Sequence, residues 1–421
     1  VVTKYKTTGI DKEEIISETK AAYLFPEYAE MGPKAAGKTW NMLNEIALDH
    51  VVKDDHQTDI SSFVTSSAIS YSTSIDHRVF DPSTGNYKRD NTASTPFMHL
   101  SAYSWESPLN KYGLFSAGDH VPFDHGQSPD AQPNWKLLGT NTLLNDRGSV
   151  LEIRYQNNHF SASKYVHDNR MLLCSSPNSN YESFTCTGYE EEAAFIANDD
   201  ISVFYAEGEV RYGGANWRTL SDNTRAAHSG SYYLSVPNTG GAAYKVSYNG
   251  TGAAGEELGL ERGKYYRASV WVHEDSHSSA GIAIELQGSV NQSASMPKAN
   301  ASIRAGEWFL VYADIYVPED FDNGGNGQNQ LQVKYSTNGP AYYDDLKFHS
   351  LADPVSMNVY DPVSGYLLAV IDEHGFGTRY VYDESGRVKE VWKEIQDKAD
   401  GTVMGYKKVG ETDYEYFREG E

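Results

Sequence analysis

Basic residues are scarce in this chain: Lys plus Arg number 35 against 58 Asp plus Glu, a net charge of −23 over 421 residues. A surface that negative repels phosphate backbones, which excludes nucleic-acid binding. No apolar run reaches the ~20 residues of a membrane-spanning helix, so no membrane span is expected. No signal peptide opens the chain, which starts at Val1 in mid-pattern and reads as a piece of a larger precursor. Catalytic motifs are missing too. There is no HExxH, no GxSxG elbow and no P-loop, and His50, His56, His77, His120 and His125 are scattered through loop-like sequence. Acid runs such as Asp54-Asp55 and Glu190-Glu191-Glu192 read as wetted faces. No enzyme is expected.

Only two cysteines are present, Cys174 and Cys186, too few for a metal site without a surrounding His or Cys cluster. Two readings stand for them: a short-loop disulfide of an exported protein across the turn Ser175-Ser176-Pro177-Asn178-Ser179-Asn180, or two unpaired structural thiols.

What the chain does have is tyrosine and glycine, 31 and 36 residues, a composition that favours short strands joined by tight turns over long helices. An all-β fold is expected. Only Asp11–Tyr23 carries helix formers behind a cap, and its alternating pattern fits a strand equally well. The stretch 105–135, rich in Gly, Pro, Asp and His, reads as a long surface loop.

Self-similarity is the most specific signal. Val359-Tyr360-Asp361-Pro362 leads to Ser364-Gly365, and Val381-Tyr382-Asp383 leads to Ser385-Gly386-Arg387, with the aspartates 22 residues apart. Upstream, Val79-Phe80-Asp81-Pro82 with Thr84-Gly85 repeats the first of these. Asp146-Arg147-Gly148 and Tyr165-Val166-His167-Asp168 repeat the 22-residue interval. An aromatic–Asp pair followed by Gly encodes a hairpin turn: Asp caps the turn's N–H groups and Gly supplies positive φ. A lone hairpin cannot bury its apolar face, so such units must stack.

On these motifs the ends of the chain resemble the YD-repeat (Rhs-type) family, and are most similar to very large surface or secreted proteins of Bacteroidetes-type bacteria. Trp40-Asn41-Met42-Leu43-Asn44 and the run from Trp135-Lys136 to Gly188-Tyr189-Glu190 are similar to that family as well. The resemblance implies a β-sheet spiral or shell, a secreted or cell-surface location, a secretion machinery as partner, and the remainder of a larger YD-repeat polypeptide.

Between them the pattern changes. Strands are predicted over Tyr232–Val236, Ala243–Tyr248, Tyr265–Val272, Gly281–Gln287, Trp308–Val317, Gln330–Tyr335 and Tyr342–His349, a spacing that argues a β-sandwich. Ala227-His228-Ser229-Gly230-Ser231-Tyr232, Gly306-Glu307-Trp308 and Tyr343-Asp344-Asp345-Leu346 resemble carbohydrate-binding-type jelly rolls. That resemblance implies a structural calcium held by Glu190 and Asp344 or Asp345, against the plainer reading of a capped turn and a solvated glutamate. The acidic stretch Glu319-Asp320-Phe321-Asp322-Asn323-Gly324-Gly325 lacks the closing Glu of an EF-hand and reads as a solvated turn.

Sugar binding needs exposed aromatic platforms beside polar groups. Trp271 and Trp308 alternate with the apolar positions of their strands and are expected to pack. Tyr212 and Trp217 in a Gly-rich loop, with Glu285, Gln287, Gln332 and Tyr335 on the concave strands, are the candidates for contacting a neutral polysaccharide.

The expected organisation is therefore a YD-repeat-like region over 1–184, a jelly-roll module over 185–350 and a YD-repeat segment over 351–421, serving as a non-catalytic structural segment of an exported protein. The alternatives are a glycan-binding adhesin unit and part of a cargo-encapsulating shell.

Overall fold

The computed structural model describes strand segments 17–22, 44–49, 64–72, 75–81, 86–90 and 98–106, and, with short gaps, residues 131–191, 204–247, 260–321 and 330–414. The chain is all-β. The Trp40–Asn44 motif lies largely outside the described residues, as do most of the loop predicted over 105–135, Pro82 to Gly85 of the upstream Phe-Asp-Pro turn, and the end of the Glu319–Gly325 stretch.

Two compact units divide at Phe160. In the first, β1 (Ser17–Ala22), β2 (Asn44–Asp49), β3 (Val64–Ser72), β6 (Met98–Trp105), β7 (Trp135–Leu144) and β8 (Val150–Tyr155) are successive antiparallel neighbours. The hairpin of β4 (Asp76–Asp81) and β5 (Asn86–Asp90) pairs parallel to the end of β7. Ile75, Leu100 and Leu144 pack together, and Trp105 meets Trp135 edge to face across the strands.

The second unit holds a hairpin sheet, in the order β9 (Phe160–Val166), β10 (Met171–Ser176), β24 (Ser356–Tyr360), β25 (Leu367–Ile371), β26 (Gly377–Tyr382), β27 (Val388–Ile395), β28 (Gly405–Glu411). Its turns explain the repeat. Asp361, Asp372 and Asp383 each open a turn, and each Oδ1 accepts two backbone N–H bonds, as from His374 and Phe376 to Asp372 at 2.9 Å. Gly365, Gly375 and Gly386 close these turns in the left-handed region. The structural unit is thus one hairpin of 11 residues, and the 22-residue interval spans two of them. The middle turn escapes the aromatic–Asp pattern because Ile371 precedes it. Successive turns alternate between the two ends of the sheet, and in the turn carrying Asp372 Gly375 is buried while Glu373 and His374 stay exposed. In the first unit the turn is capped by Asn145, one residue before the predicted Asp146: its Oδ1 accepts from Arg147 and Ser149, and Gly148 has φ 81°.

Between β10 and β24 the chain builds a sandwich. One sheet runs β14 (Arg218–Leu220), β15 (Tyr233–Val236), β23 (Ala341–Ser350), β17 (Lys264–His273), β21 (Trp308–Val317), β20 (Ile303–Ala305), with β11 (Thr185–Thr187) also on β23. The other runs β16 (Ala242–Ser247), β22 (Gln330–Ser336), β18 (Gly281–Gln287), β19 (Gln292–Pro297); β12 (Phe204–Tyr205) and β13 (Arg211–Tyr212) form a separate ladder. Each predicted sandwich strand is present to within one residue at either end. Strand alternation supplies the core: Tyr266, Ala268, Val270 and Val272 of β17 face Ile282, Ile284 and Leu286 of β18 and Leu331 and Val333 of β22.

The larger sheet is buried on its other face as well. Trp271, Trp308, Leu310 and Tyr233 form a second cluster there, against which Phe376 of the hairpin sheet packs. Trp271 and Trp308 are packing residues, as expected. They pack outside the sandwich core, where the Asp372 turn docks: the Trp271 indole N–H donates to the Gly375 carbonyl at 2.9 Å.

Candidate functional site

The chemistry of the second unit concentrates where the sandwich meets this turn. Asp344 and Asp345 lie on β23 at an irregularity in its pairing with β17, and Asp345 has φ 49°. A bulge of this kind re-aims side chains. Here it brings both carboxyls beside Glu190, which enters from the segment after β11, and His228, from the loop before β15. Glu190, Asp344, Asp345 and His228 are all buried.

Every one of these carboxyls faces nitrogen or hydroxyl donors. Glu190 Oε1 accepts the N–H groups of Ser231 and Tyr232 at 2.8 and 2.9 Å. Asp344 accepts the N–H of His228 at 2.7 Å, of Ser229 and of Asp345. Asp345 takes the Ser229 hydroxyl on one oxygen and His228 Nδ1 on the other, both at 2.6 Å. On the far side of the imidazole, Nε2 lies 2.7 Å from Glu394 Oε1 of β27, whose Oε2 accepts the Gly377 N–H. The ring stacks on Trp271 with centroids 4.1 Å apart. The His228 carbonyl accepts from the guanidinium of Arg379 and from the Tyr406 hydroxyl, and that guanidinium also holds the Ala227 carbonyl and lies over the Tyr406 ring.

The electrostatics follow. Burial, with the charges of Asp345 and Glu190 adding to it, pushes the Asp344 carboxyl well above the usual range. For His228 burial acts to lower the pKa, yet the charge of Glu394 and the hydrogen bonds to Asp345 and Glu394 outweigh it and raise the value.

The three residues expected to hold calcium are therefore brought together, but the donor set does not suit that ion. Calcium takes six to eight oxygens, including carbonyls. In this cluster Glu190 Oε1 and both oxygens of Asp344 and of Asp345 are met by N–H and O–H donors, and the carbonyls of Ala227 and His228 are taken by Arg379 and Tyr406. Among the described residues no three His, Cys, Asp or Glu side chains are arranged to hold a metal.

The expected sugar-contact residues separate into two groups. Tyr212 and Tyr335 are core residues, 2% and 1% exposed, edge to face with Tyr189 and 4.6 Å from Tyr343 respectively. Trp217 packs on that core against Tyr335. None of the three is a platform: Tyr335 shares the inward parity of Leu331 and Val333. Glu285, Gln287 and Gln332 do lie together on the outer face of the smaller sheet. Gln332 pairs with both Lys245 and Glu285 and is itself buried. The Gln330 amide donates to Gln287, Gln287 donates to Glu285 at 3.1 Å, and Lys334 pairs with Glu285 at 2.5 Å.

Cys174 and Cys186 are free thiols rather than a disulfide, and they do not flank a two-stranded hairpin. Cys174 pairs with β24 and Cys186 with β23, so they belong to different sheets. Their thiols are hydrogen bonded, and burial, then the adjoining Cys174, pushes the Cys186 thiol well up. Titration of the denatured, unreduced protein should find two thiols; none would restore the bridge.

Sequence reasoning missed His228, Arg379 and Glu394 as partners of the acids. His228 stood inside the Ala227–Tyr232 motif. Glu394 carried no signal, for a glutamate on a polar strand reads as solvated.

No family model matches the chain, and no curated protein does. Among solved structures, the chain is similar to the Clostridium thermocellum xylanase 10B CBM22-1–GH10 modules complexed with xylohexaose, at 13% identity and TM-score 0.21, over 41% of this chain and 26% of that one. A cyclase from Fischerella sp. TAU matches at 11% identity and TM-score 0.21, over 40% of this chain and 84% of that one. TmCBM61 in complex with beta-1,4-galactotriose matches at 16% identity and TM-score 0.17, over 32% of this chain and 89% of that one. The chain thus spans about a quarter of the xylanase chain it matches.

Proposed function

We propose that this chain is a non-catalytic structural segment of a large, exported YD-repeat-type protein, and that its sandwich displays a polar sheet face to a neutral polysaccharide. The observation that supports this reading is the division of labour between the two sandwich sheets. The larger sheet has both faces buried around Trp271 and is committed to the hairpins. The smaller sheet keeps a row of hydrogen-bonding side chains on its outer face: Glu285, Gln287, Gln330 and Lys334. Amide and paired-charge groups in a row suit the hydroxyls of a sugar chain, and the net charge of −23 disfavours uronates and sulfated polymers. The row offers no aromatic face, so recognition would rest on hydrogen bonds along the edges of the sugar rings.

The test is binding of the whole chain to an array of neutral and acidic polysaccharides. A neutral ligand is expected, weakened about tenfold in Gln287→Ala, the loss of roughly 1.4 kcal/mol that one or two hydrogen bonds supply. Binding only to acidic polymers, or binding indifferent to Gln287→Ala, would overturn the assignment of this face.

A further inference from the structure

The end of the hairpin sheet that carries Asp361 and Asp383 is lined with tyrosine. Tyr366, at the entry to β25, and Tyr382, at the end of β26, stack there with ring centroids 4.7 Å apart and planes at 22°. Both rings are held in place. The Tyr382 hydroxyl donates to the Leu367 carbonyl of β25 at 2.8 Å, which pins that ring against the neighbouring strand. The Tyr366 backbone is fixed in the Asp361 turn, its N–H on Ser364 Oγ and its carbonyl accepting the Asp361 N–H at 2.8 Å. Its ring lies over Gly386, where an added Cβ would come 3.0 Å from Cζ and closer still to the hydroxyl.

Packing uses one of the two hydroxyls. Among the described residues the Tyr366 hydroxyl has no hydrogen-bond partner, and the residue is 43% exposed. Phenylalanine would stack as well, so what tyrosine adds at this position is an accessible phenol.

We propose that Tyr366 and Tyr382 form a site of oxidative modification, at which one carbon–carbon bond joins the two rings as a dityrosine. The co-reactant is hydrogen peroxide, used through a haem peroxidase that removes one electron at a time. Each phenol gives up its O–H hydrogen as a proton and an electron, and the two phenoxyl radicals join at ortho carbons. The two ortho hydrogens then move to the oxygens as the rings regain aromaticity. The two hydrogens removed reduce one peroxide to two waters.

Geometry selects this pair. Radical coupling needs both rings within reach at once, and a preset contact supplies that. Tyr335 and Tyr343 are as close, at 4.6 Å, but are buried in the sandwich core. Tyr265 and Tyr316 lie 4.9 Å apart with Tyr265 exposed, but their planes are tilted by 45°. The bond between Tyr366 and Tyr382 would tie β25 to β26 and close the loop 366–382, which carries the Asp372 turn docked on Trp271. The chain has no disulfide, and this link gives the docked hairpin a covalent closure without cysteine.

The experiment treats the whole chain, dilute, with a haem peroxidase and limiting hydrogen peroxide. Dityrosine fluorescence should appear in the monomer, with a mass lower by two hydrogens and a peptide map that joins Tyr366 to Tyr382. Tyr366→Phe keeps the ring and loses no hydrogen bond, and it should reduce the yield about tenfold or more. Gly386→Ala, which keeps every tyrosine but displaces the Tyr366 ring, should reduce it by a similar factor. In the linked protein, exchange of amides 377–382 should slow roughly tenfold or more, because the open loop loses its freedom. Coupling mapped to Tyr265 and Tyr316, coupling between chains, or no dityrosine under conditions that couple free tyrosine would each overturn the proposal. So would a yield indifferent to Tyr366→Phe or to Gly386→Ala.

Discussion

Gly230→Ala should destabilise this protein by about 4 kcal/mol, among the largest effects of any one-methyl change in it. Two costs add. Gly230 has φ 59°, and a left-handed residue with a Cβ costs about 1–2 kcal/mol. The added carbon would also drive into the Glu190 carboxyl, 2.6 Å from its Cδ and closer still to Oε1. Glu190 would have to move, which strands the buried N–H groups of Ser231 and Tyr232 at about 1–3 kcal/mol. Gly401→Ala is the internal control: Gly401 has φ 85°, but nothing lies within 4 Å of its added Cβ, so only the backbone strain remains. Urea unfolding of the two variants separates the terms. Equal losses would show that Glu190 is free to yield, and that the cluster is looser than its hydrogen bonds imply.

Trp271→Ala should cost about 3–5 kcal/mol, the range for truncating a fully buried large aromatic. Its position makes the result diagnostic. Trp271 sits on the outer face of the larger sheet, so truncation leaves the inner core of Tyr266, Val270 and Val272 intact. What goes is the stack on His228, the edge contact with Phe376 at 5.9 Å and the hydrogen bond to Gly375. Exchange protection should therefore fall first in 377–395 and later in the strands of the smaller sheet. Trp271→Phe, which keeps much of the volume but lacks the N–H, should lose about 1–2 kcal/mol. A uniform loss of protection across both sheets would show that sandwich and hairpins unfold as one unit and that Trp271 is simply core.

The sequence by itself determined the elements and their periodicities. Alternation of apolar and polar residues placed the sandwich strands, because a strand between core and solvent must alternate. The same alternation, applied to β22, assigns Tyr335 to the core with Leu331 and Val333, so that misplacement was correctable from the sequence. The turns were legible because Asp and Gly do local work there: the carboxyl caps the N–H groups two and four residues on, as Asp372 and Asp383 do. The true 11-residue period was hidden only where the Asp372 turn docks on the sandwich through Gly375 and Phe376 and the aromatic is replaced by Ile371.

Tertiary structure alone decided what those residues meet. Glu190, His228, Asp345 and Glu394 are separated by as many as 204 positions in the chain, and no periodicity links them. Whether an acidic pair attracts a metal, a proton or an arginine depends on which donors reach it first. Here backbone N–H groups and an imidazole from the same fold arrive. Likewise nothing local distinguishes two thiols that form a bridge from two that rest side by side in different sheets. Local structure follows from neighbours a few residues apart; the partner of a buried charge is set by the closure of sheets whose strands are far apart in the chain.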